Sequence, residues 1–592
     1  MMKYTALKNI FFFVLLLLMA ATLNRCANIM APTGGSRDIT PPKVIQSYPP
    51  NSSTNFSGNK FILRFDEYIK LEKINQQLLI SPPMEQFPDI KLKGKELYLI
   101  FKETLKPNTT YSVFFGDAIA DITEGNVLHN YSYIFSTGKT IDSLSLRGRV
   151  LDAIDLKPMK DISVMLYKNN NDSLPLDELP LYVKPYYISK TNEEGYYNFS
   201  GLADTAYLLF GLQDQNYSLT FDQPSEKIAF VNSMVWPQYR PKPHIDSSLF
   251  DTITTLPHDS IQHITDSLWY LADSLADNKL QLHKLFLFKQ ADTIQKLLKV
   301  SLLRKNVLRF VFRLPSDSIR ITSIDFHPDS IWYQPEWNKG NDTLDWFLRK
   351  NHPDSLKFIV DDGAKILDTL DIRAIPKKKF VRHKKKGAIP KKEYLSWHSN
   401  ISGVIKPGQM LMITYDYPVK TIQSDSILLI SAKDTLVNPP FHFQDSLHRK
   451  MLIPIDVKPS TAYHLIIPDS SIIDWNGLHN KAIHINIRAK AEKEYGILNF
   501  NLQPTHQQPY IFLLLSSQGK ELKRIYFSKP EKIRLENLDP LQYQFKIIFD
   551  DNDNKKWDTG NYSKKQEPEK VIYYEKKIKV RANWEISENW SF

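Results

Sequence analysis

From Val44 onward, apolar residues recur at every second position far more often than every 3.6 residues. Phe61, Leu63 and Phe65 alternate with Lys60, Ile62 and Arg64, Leu97 and Leu99 with Glu96 and Tyr98, and Tyr131, Tyr133 and Phe135 with Ser132 and Ile134. Runs of this kind, bounded by Pro, Gly, Asn and Asp, predict antiparallel strands with one buried face. Their spacing of roughly 8–12 residues predicts sandwiches. One stretch has helical spacing: Ile261, Ile264, Leu268, Leu271 and Leu275 follow the three–four rhythm of an amphipathic helix. The pattern therefore predicts an all-β chain of tandem β-sandwiches with one short linking helix.

The pattern also repeats. The segment VKPSTAYHLIIPDSSIIDWNGLHN (457–480) parallels LKPNTTYSVFFGDAIADITEGNVLHN (105–130), and MITYDYPV (412–419) takes the place of ILRFDEYI (62–69). YGILNFNL (495–502) and EKIRLENLDPLQYQFKIIFDDNDN (531–554) parallel the region 144–235. The expected order is a sandwich at 44–138, a second at 144–235 and a linker carrying the helix at 236–279. A middle sandwich follows at 280–375, with β runs LRFVFRL (308–314) and LKFIVDD (356–362), and then a basic linker at 376–393. The first two units then recur at 394–490 and 491–592.

At the N-terminus, Lys3 and Lys8 precede an apolar run from Ile10 to Leu23. Its fourteen residues suit the core of a signal peptide (1–25) and fall short of the roughly 20 that span a bilayer. Cys26, the single cysteine of the chain, follows three residues later. This arrangement resembles a bacterial lipoprotein signal, with Leu23 at the apolar site three before the cysteine and Arg25 where that signal has a small residue. The resemblance implies that Cys26 is diacylated, with palmitate-type chains. Two chains at ~0.8 kcal/mol per buried methylene anchor stably where one does not. Residues 26–43 are expected to form a flexible tether rich in small residues and Pro. Residues 27–37 contain no acid, so the expected location is the outer membrane, on its periplasmic face.

Two family resemblances refine the sandwiches. DITPPKVIQSYPPNSSTNF (38–56), ILRFDEYI (62–69), LKPNTTYSVFFGDAIAD (105–121), EGN (124–126) and FSTG (135–138) resemble the bacterial Ig-like domain of surface-layer and lipoprotein chains. In that pattern Pro107-Asn108-Thr109 turns into a core strand headed by Tyr111. SLRGRVLDAIDLKPMKDISVMLY (145–167), KTNEEGYYNFSGL (190–202) and TAYLLFGLQDQN (205–216) resemble the transthyretin-like, carboxypeptidase-regulatory β-sandwich. There Asn192 to Gly195 is expected to make a hairpin turn, with Tyr197 and Phe199 pointing inward. Domains of this second kind are spacers and imply no catalysis.

Charge changes the picture less than its total suggests. Across 592 residues, 42% hydrophobic, the net charge is +11. Removing the signal leaves +8, and nine basic groups stand without an acid in 376–392, so the rest of the chain is close to neutral. A near-neutral body with one basic stretch is not a nucleic-acid binder by composition. The stretch is expected to be a solvated connector, with contact to an anionic surface as the alternative. One cysteine excludes a disulfide framework and any cysteine zinc ribbon.

Candidate chemistry is sparse. No phosphate-binding glycine loop, nucleophile elbow or zincin motif is present. His479 and His484 lack metal-ligand spacing, and the adjacent carboxylates Asp66 and Glu67 point to opposite faces of a strand. No enzymatic activity is expected. One constellation remains. Asp550, Asn552, Asn554 and Asp558 stand at positions 1, 3, 5 and 9 of a loop, and Asp214, Asn216, Ser218 and Asp222 repeat that spacing. Alternating oxygens suit calcium, although Lys555 holds the sixth position and Asn561 the twelfth, where an EF-hand has Gly and Glu. The alternative is an Asx-turn loop satisfying its own backbone. No cofactor other than calcium is expected. Trp332, Trp337 and Trp346 offer either sugar-stacking faces or core packing. The expected protein is a non-enzymatic envelope lipoprotein, held at the membrane by its N-terminal lipid and acting as a structural or protein-interaction scaffold. The alternatives are a glycan- or peptidoglycan-binding lipoprotein and an assembly factor for other envelope proteins.

Overall fold

Alternation becomes burial on the inner faces of sheets. Phe61, Leu63, Phe65, Leu97, Leu99, Tyr133 and Phe135 are all fully buried in one cluster. Further along, Ile483, Ile485, Ile487 and Ala489 face inward while His484, Asn486 and Arg488 face solvent. The computed structural model describes residues 38–129, 131–168, 174–241, 279–328, 330–363, 365–374, 393–431 and 434–592. The signal segment, Cys26, the helix expected at 261–275 and the basic stretch 376–392 lie outside the described residues. Among the described residues no helix is long and apolar enough to cross a membrane.

The described chain is a series of β-sandwiches. In the first module Val44–Tyr48, Lys60–Phe65, Glu96–Ile100 and Asp89–Lys93 form one antiparallel sheet, and Ser132–Ser136, Thr110–Phe114 and Leu79–Ser81 face it. The fourth module repeats this plan, with Leu411–Tyr415 beside Lys450–Ile453 and Ala462–Ile467 beside Ile483–Ala489. The repeat extends to a single bond. Tyr111 Oη accepts the N–H of Lys106 at 2.8 Å, and Tyr463 Oη that of Lys458 at 2.8 Å. Each tyrosine pins the turn that its Lys-Pro pair opens.

The second and fifth modules also share one plan. Leu144–Asp152 pairs antiparallel with Tyr196–Leu202, as Gly496–Gln503 does with Glu531–Leu538. Ser163–Tyr167 lies between Tyr187–Lys190 and Leu208–Leu212, as Tyr510–Ser516 lies between Glu521–Phe527 and Gln542–Phe549. The C-terminal strand Glu585–Ser591 runs parallel to Gly496–Gln503. Its counterpart is Leu282–Lys289, parallel to Leu144–Asp152 and antiparallel to Lys227–Phe230. The unit expected at 144–235 therefore includes residues 282–289, which the sequence reading placed in the middle sandwich at 280–375. The apolar face of this strand, Leu285 and Leu287, enters the core of the second module, and that burial decides the assignment. The turn at Asn192 to Gly195 does not join a hairpin. The turn forms, with Gly195 at φ +77° and Asn192 Oδ1 accepting the N–H of Tyr196 at 2.8 Å. It carries the chain between the two end strands of the module's eight-stranded sheet, because the flanking strands pair with other partners. Tyr197 and Phe199 are buried, as their alternation required.

The middle sandwich packs Leu297–Arg304, Val307–Phe312, Thr343–Leu348 and Tyr333–Trp337 against Arg320–Ser323, Ser355–Asp361 and Ile366–Arg373. Successive modules are fastened together. Ser81 Oγ accepts the N–H of Ile188 at 3.0 Å between the first and second modules. Arg449, 7% exposed, pairs with Glu336 and lies 4.4 Å over the Phe347 ring between the third and fourth. Lys406 and Lys490 both grip Asp539, at 2.6 and 2.8 Å, between the fourth and fifth.

Candidate functional site

Both acidic loops leave the same strand of their module and fold alike. In the fifth module Asp550 accepts the N–H groups of Asn554 (3.0 Å) and Lys555 (2.9 Å), one on each carboxylate oxygen. In the second, Asp214 accepts those of Ser218 (3.2 Å) and Leu219 (3.0 Å). The fourth and sixth positions hold left-handed backbone in both loops: Asp553 and Lys555 in one, Tyr217 and Leu219 in the other. Asn552 and Asn554 donate to Asp558 Oδ2 at 2.5 and 2.6 Å, and Asn216 donates to both Asp222 oxygens at 3.1 Å. All the residues singled out by spacing come together, and they do so as Asx turns that satisfy their own amides. Among the described residues no group of three or more His, Cys, Asp or Glu gathers as a metal cluster.

A residue that the sequence reading missed braces each loop from beneath. Glu569, 5% exposed, accepts the N–H groups of Asp551 (3.0 Å) and Asp558 (2.9 Å). Glu226, fully buried, accepts those of Gln215 (3.0 Å) and Gln223 (3.3 Å). Burial pushes the Glu569 carboxyl up to about 7 against these hydrogen bonds, and neighbouring Asp558 and Asp550 add to the rise. Glu226 is raised for the same first reason. The available signal was the repeated Glu-Lys-apolar triplet, 226–228 and 569–571, that opens the next strand.

Beyond Asp558 the fifth module does something the second does not. Its connection, residues 550–570, inserts Tyr562 into the second module, where the ring meets Phe210 and Phe230 edge-on at 5.1 and 5.0 Å. Tyr562 Oη donates to Asp177 O at 2.7 Å and its N–H to Gln290 Oε1 at 2.9 Å. Lys565 pairs with Asp177 at 2.7 Å, and Thr559 Oγ1 donates to Lys289 O at 2.6 Å. Gly560 is required at this contact, because a Cβ there would come within 2.5 Å of Phe288 Cζ. Trp557 and, from the second module's own loop, Leu219 and Phe221 pack on the same cluster. The Lys546 ammonium donates to Ile154 O, and burial pushes it down to about 8 even though Asp155 and Asp152 oppose the shift. The fifth module thus docks on the second and closes a circuit through the third and fourth, with the chain at 290–296 as the link between second and third.

The tryptophans of the middle sandwich are packing residues. Trp346 is 2% exposed and stacks on Tyr333 at 3.7 Å, while Trp332 and Trp337 line the same core. His484 hydrogen-bonds His464 at 3.3 Å, and His479 contacts Ser470 Oγ at 2.9 Å. Asp66 accepts the N–H of Lys43 at 2.8 Å.

The first module finds a match in a known family. Residues 38–137 are a bacterial Ig-like domain. This domain occupies the N-terminal end of the described residues and meets the second module through Ser81. No curated protein matches the chain by sequence. Among solved structures, the S-layer protein rSbsC(31-844) is 11% identical over 86% of this chain and 64% of that one, with a TM-score of 0.13. The chain thus spans less than two thirds of that S-layer chain. A Bacteroides ovatus mixed-linkage glucan SGBP-B is 8% identical over 73% of this chain and 93% of that one, TM-score 0.17. The Bacillus anthracis TIE protein is 9% identical over 95% and 76%, TM-score 0.14. Likenesses at this level assign no role to the present chain.

Proposed function

We propose that the chain is a non-enzymatic lipoprotein of the bacterial envelope, anchored through a diacylated Cys26 and acting as a structural or protein-interaction scaffold. The observation that carries this reading is the Ig-like domain at 38–137, followed by sandwiches fastened to one another by buried contacts rather than strung on free linkers. Such a body presents fixed surfaces and sheet edges to partners. Membrane attachment belongs to the tether and its lipid, on the periplasmic face of the outer membrane. The acidic loops serve this body as Asx turns: every named carboxylate already has N–H donors, so neither loop depends on calcium for its shape. Of the tryptophans that suggested the glycan-binding alternative, Trp346 is buried in the core of the middle sandwich, and Trp332 and Trp337 are partly exposed and pack against it.

Fractionation tests the anchor. Cys26→Ala is expected to move the protein into the soluble fraction. Retention on membranes after a high-salt wash, which strips attachment through the basic stretch, contradicts the reading. Crosslinking in whole cells then identifies the envelope protein that the scaffold holds.

A further inference from the structure

A cavity of about 580 Å³ opens between the Ig-like domain and the second module, lined by Pro82, Pro83, Glu85 and Lys106 on one side and by Lys168, Tyr182, Lys184 and Tyr186 among others on the second. Its volume falls within the range of small-ligand sites. Three ammonium groups face one carboxylate. Glu85 is engaged by Lys184 at 3.2 Å, and among the described residues no carboxylate forms an ion pair with Lys106 or Lys168. Lys168 instead stands 4.2 Å from the Tyr186 ring centroid and 5.6 Å from those of Tyr187 and Tyr207. Lys106 lies 6.0 Å from the same Tyr186 ring centroid.

We propose that this cleft binds an acidic saccharide, with the sugar carboxylate between Lys106 and Lys168 and a pyranose face on the exposed ring of Tyr182. Charge selects the anion, since Lys106, Lys168 and Lys184 outnumber the single lining carboxylate Glu85 in a partly enclosed site, with Asp142 acting on Lys168 from outside the lining. Burial already holds the Lys168 ammonium below the usual lysine range, and a bound carboxylate would restore the solvation it has lost. The aromatic ring selects the sugar. Tyr182 is 67% exposed at the rim, an uncovered flat face of the kind that pyranose C–H groups stack against. A peptide is disfavoured by the backbone. The nearby edge strand Tyr187–Lys190 cannot accept an added strand at Ile188, because the N–H and C=O of Ile188 both already meet Ser81 Oγ, at 3.0 and 3.3 Å.

The inference goes beyond the scaffold reading and does not depend on the lipid, so the soluble Cys26→Ala chain is expected to bind equally well. The test is calorimetric titration of the full-length chain with a galacturonate tetrasaccharide, a neutral maltotetraose and a tetraglutamate peptide. The galacturonate is expected to bind, more weakly as salt rises, and the other two to bind at least roughly tenfold less tightly. Lys106→Ser and Tyr182→Ala, both exposed positions that leave the fold intact, are each expected to weaken galacturonate binding by about tenfold or more. No heat with galacturonate overturns the proposal. So does equal binding of tetraglutamate, which would make the cleft an acidic-peptide site, and so does galacturonate binding that neither substitution affects, which would place the ligand elsewhere on the chain.

Discussion

The second and fifth modules have the same strands in the same order, yet one receives and the other inserts. The connection that carries the acidic loop has fourteen residues in the second module (213–226) and twenty-one in the fifth (550–570). The shorter connection folds back on its own module through Leu219 and Phe221. The longer one makes the same Asx turns first, then spends its extra residues on Gly560 and Tyr562, which leave the module and fill a pocket in its counterpart. The lesson is that the sandwich and its braced loop form one conserved building plan, while connection length decides whether the loop closes a module or joins two.

Removing the inserted ring breaks the comparison most severely. Tyr562→Ala takes away a ring that is 3% exposed, a kind of truncation that costs about 3–5 kcal/mol in well-packed cores. The expected result is an undocked fifth module, seen as new protease cleavage within 550–570 and a loss of cooperative unfolding. The corresponding change in the second module, Phe221→Ala, removes a partly buried ring and is expected to cost only about 1–2 kcal/mol. Equal effects would mean that the two connections play the same part.

The glutamate braces come next. Glu569→Gln and Glu226→Gln each turn an amide NH₂ toward a backbone N–H that loses its acceptor, a change worth roughly 1–3 kcal/mol. They also differ in how they alter the pH dependence of stability. Because Glu569 holds its proton up to about 7 when folded, against an ordinary value of 4.5, the folded state binds more protons than the unfolded one between those limits. Its contribution to stability therefore falls as pH rises through that window. Lys546 acts in the opposite sense: held down to about 8 from 10.5, it adds stability as pH rises from 8 to 10.5. Melting curves recorded from pH 4.5 to 7 should have a shallower downward slope in Glu569→Gln, with Glu226 and Asp474, also raised by burial, supplying slope of the same sign, and an unchanged slope would show that this carboxyl is ionised throughout.

Calcium is expected to have the smallest effect. Millimolar Ca²⁺ should leave the melting temperature unchanged, because both loops are satisfied by their own amides. A ligand that bound the folded state at one hundred times its Kd would add about 2.7 kcal/mol. A clear rise that is abolished in Asp550→Ala would give the loops a cation.

Much of this architecture was legible in the chain. Phe61, Leu63 and Phe65 announce their sheet by alternation, and the paired Lys-Pro-x-Thr-x-Tyr segments announce the repeat, to which the structure adds the recurring tyrosine bond. The acidic residues gather as their spacing requires. Two features were hidden for physical reasons. Leu282–Lys289 pairs in parallel with a strand more than a hundred residues earlier, and period-two alternation states that a strand is half-buried without naming the sheet that buries it. The C-terminal strand Glu585–Ser591, in the same place of the repeated module, was the one clue. Tyr562 sits in a polar stretch with no periodicity, and its burial comes from another module rather than from its own neighbours. The cleft beside Lys106 and Lys168 was hidden likewise, because its two walls belong to different modules.

The docking of the fifth module on the second is tested most directly by zero-length carbodiimide crosslinking of the native protein, read by mass spectrometry. Lys565 and Asp177 lie 2.7 Å apart, and Lys406 and Asp539, at 2.6 Å, supply an internal control between neighbouring modules. The closed circuit predicts both crosslinks within a single chain, with the 177–565 link lost in Tyr562→Ala while the 406–539 link persists. A native chain that forms the 406–539 crosslink and never the 177–565 one contradicts it.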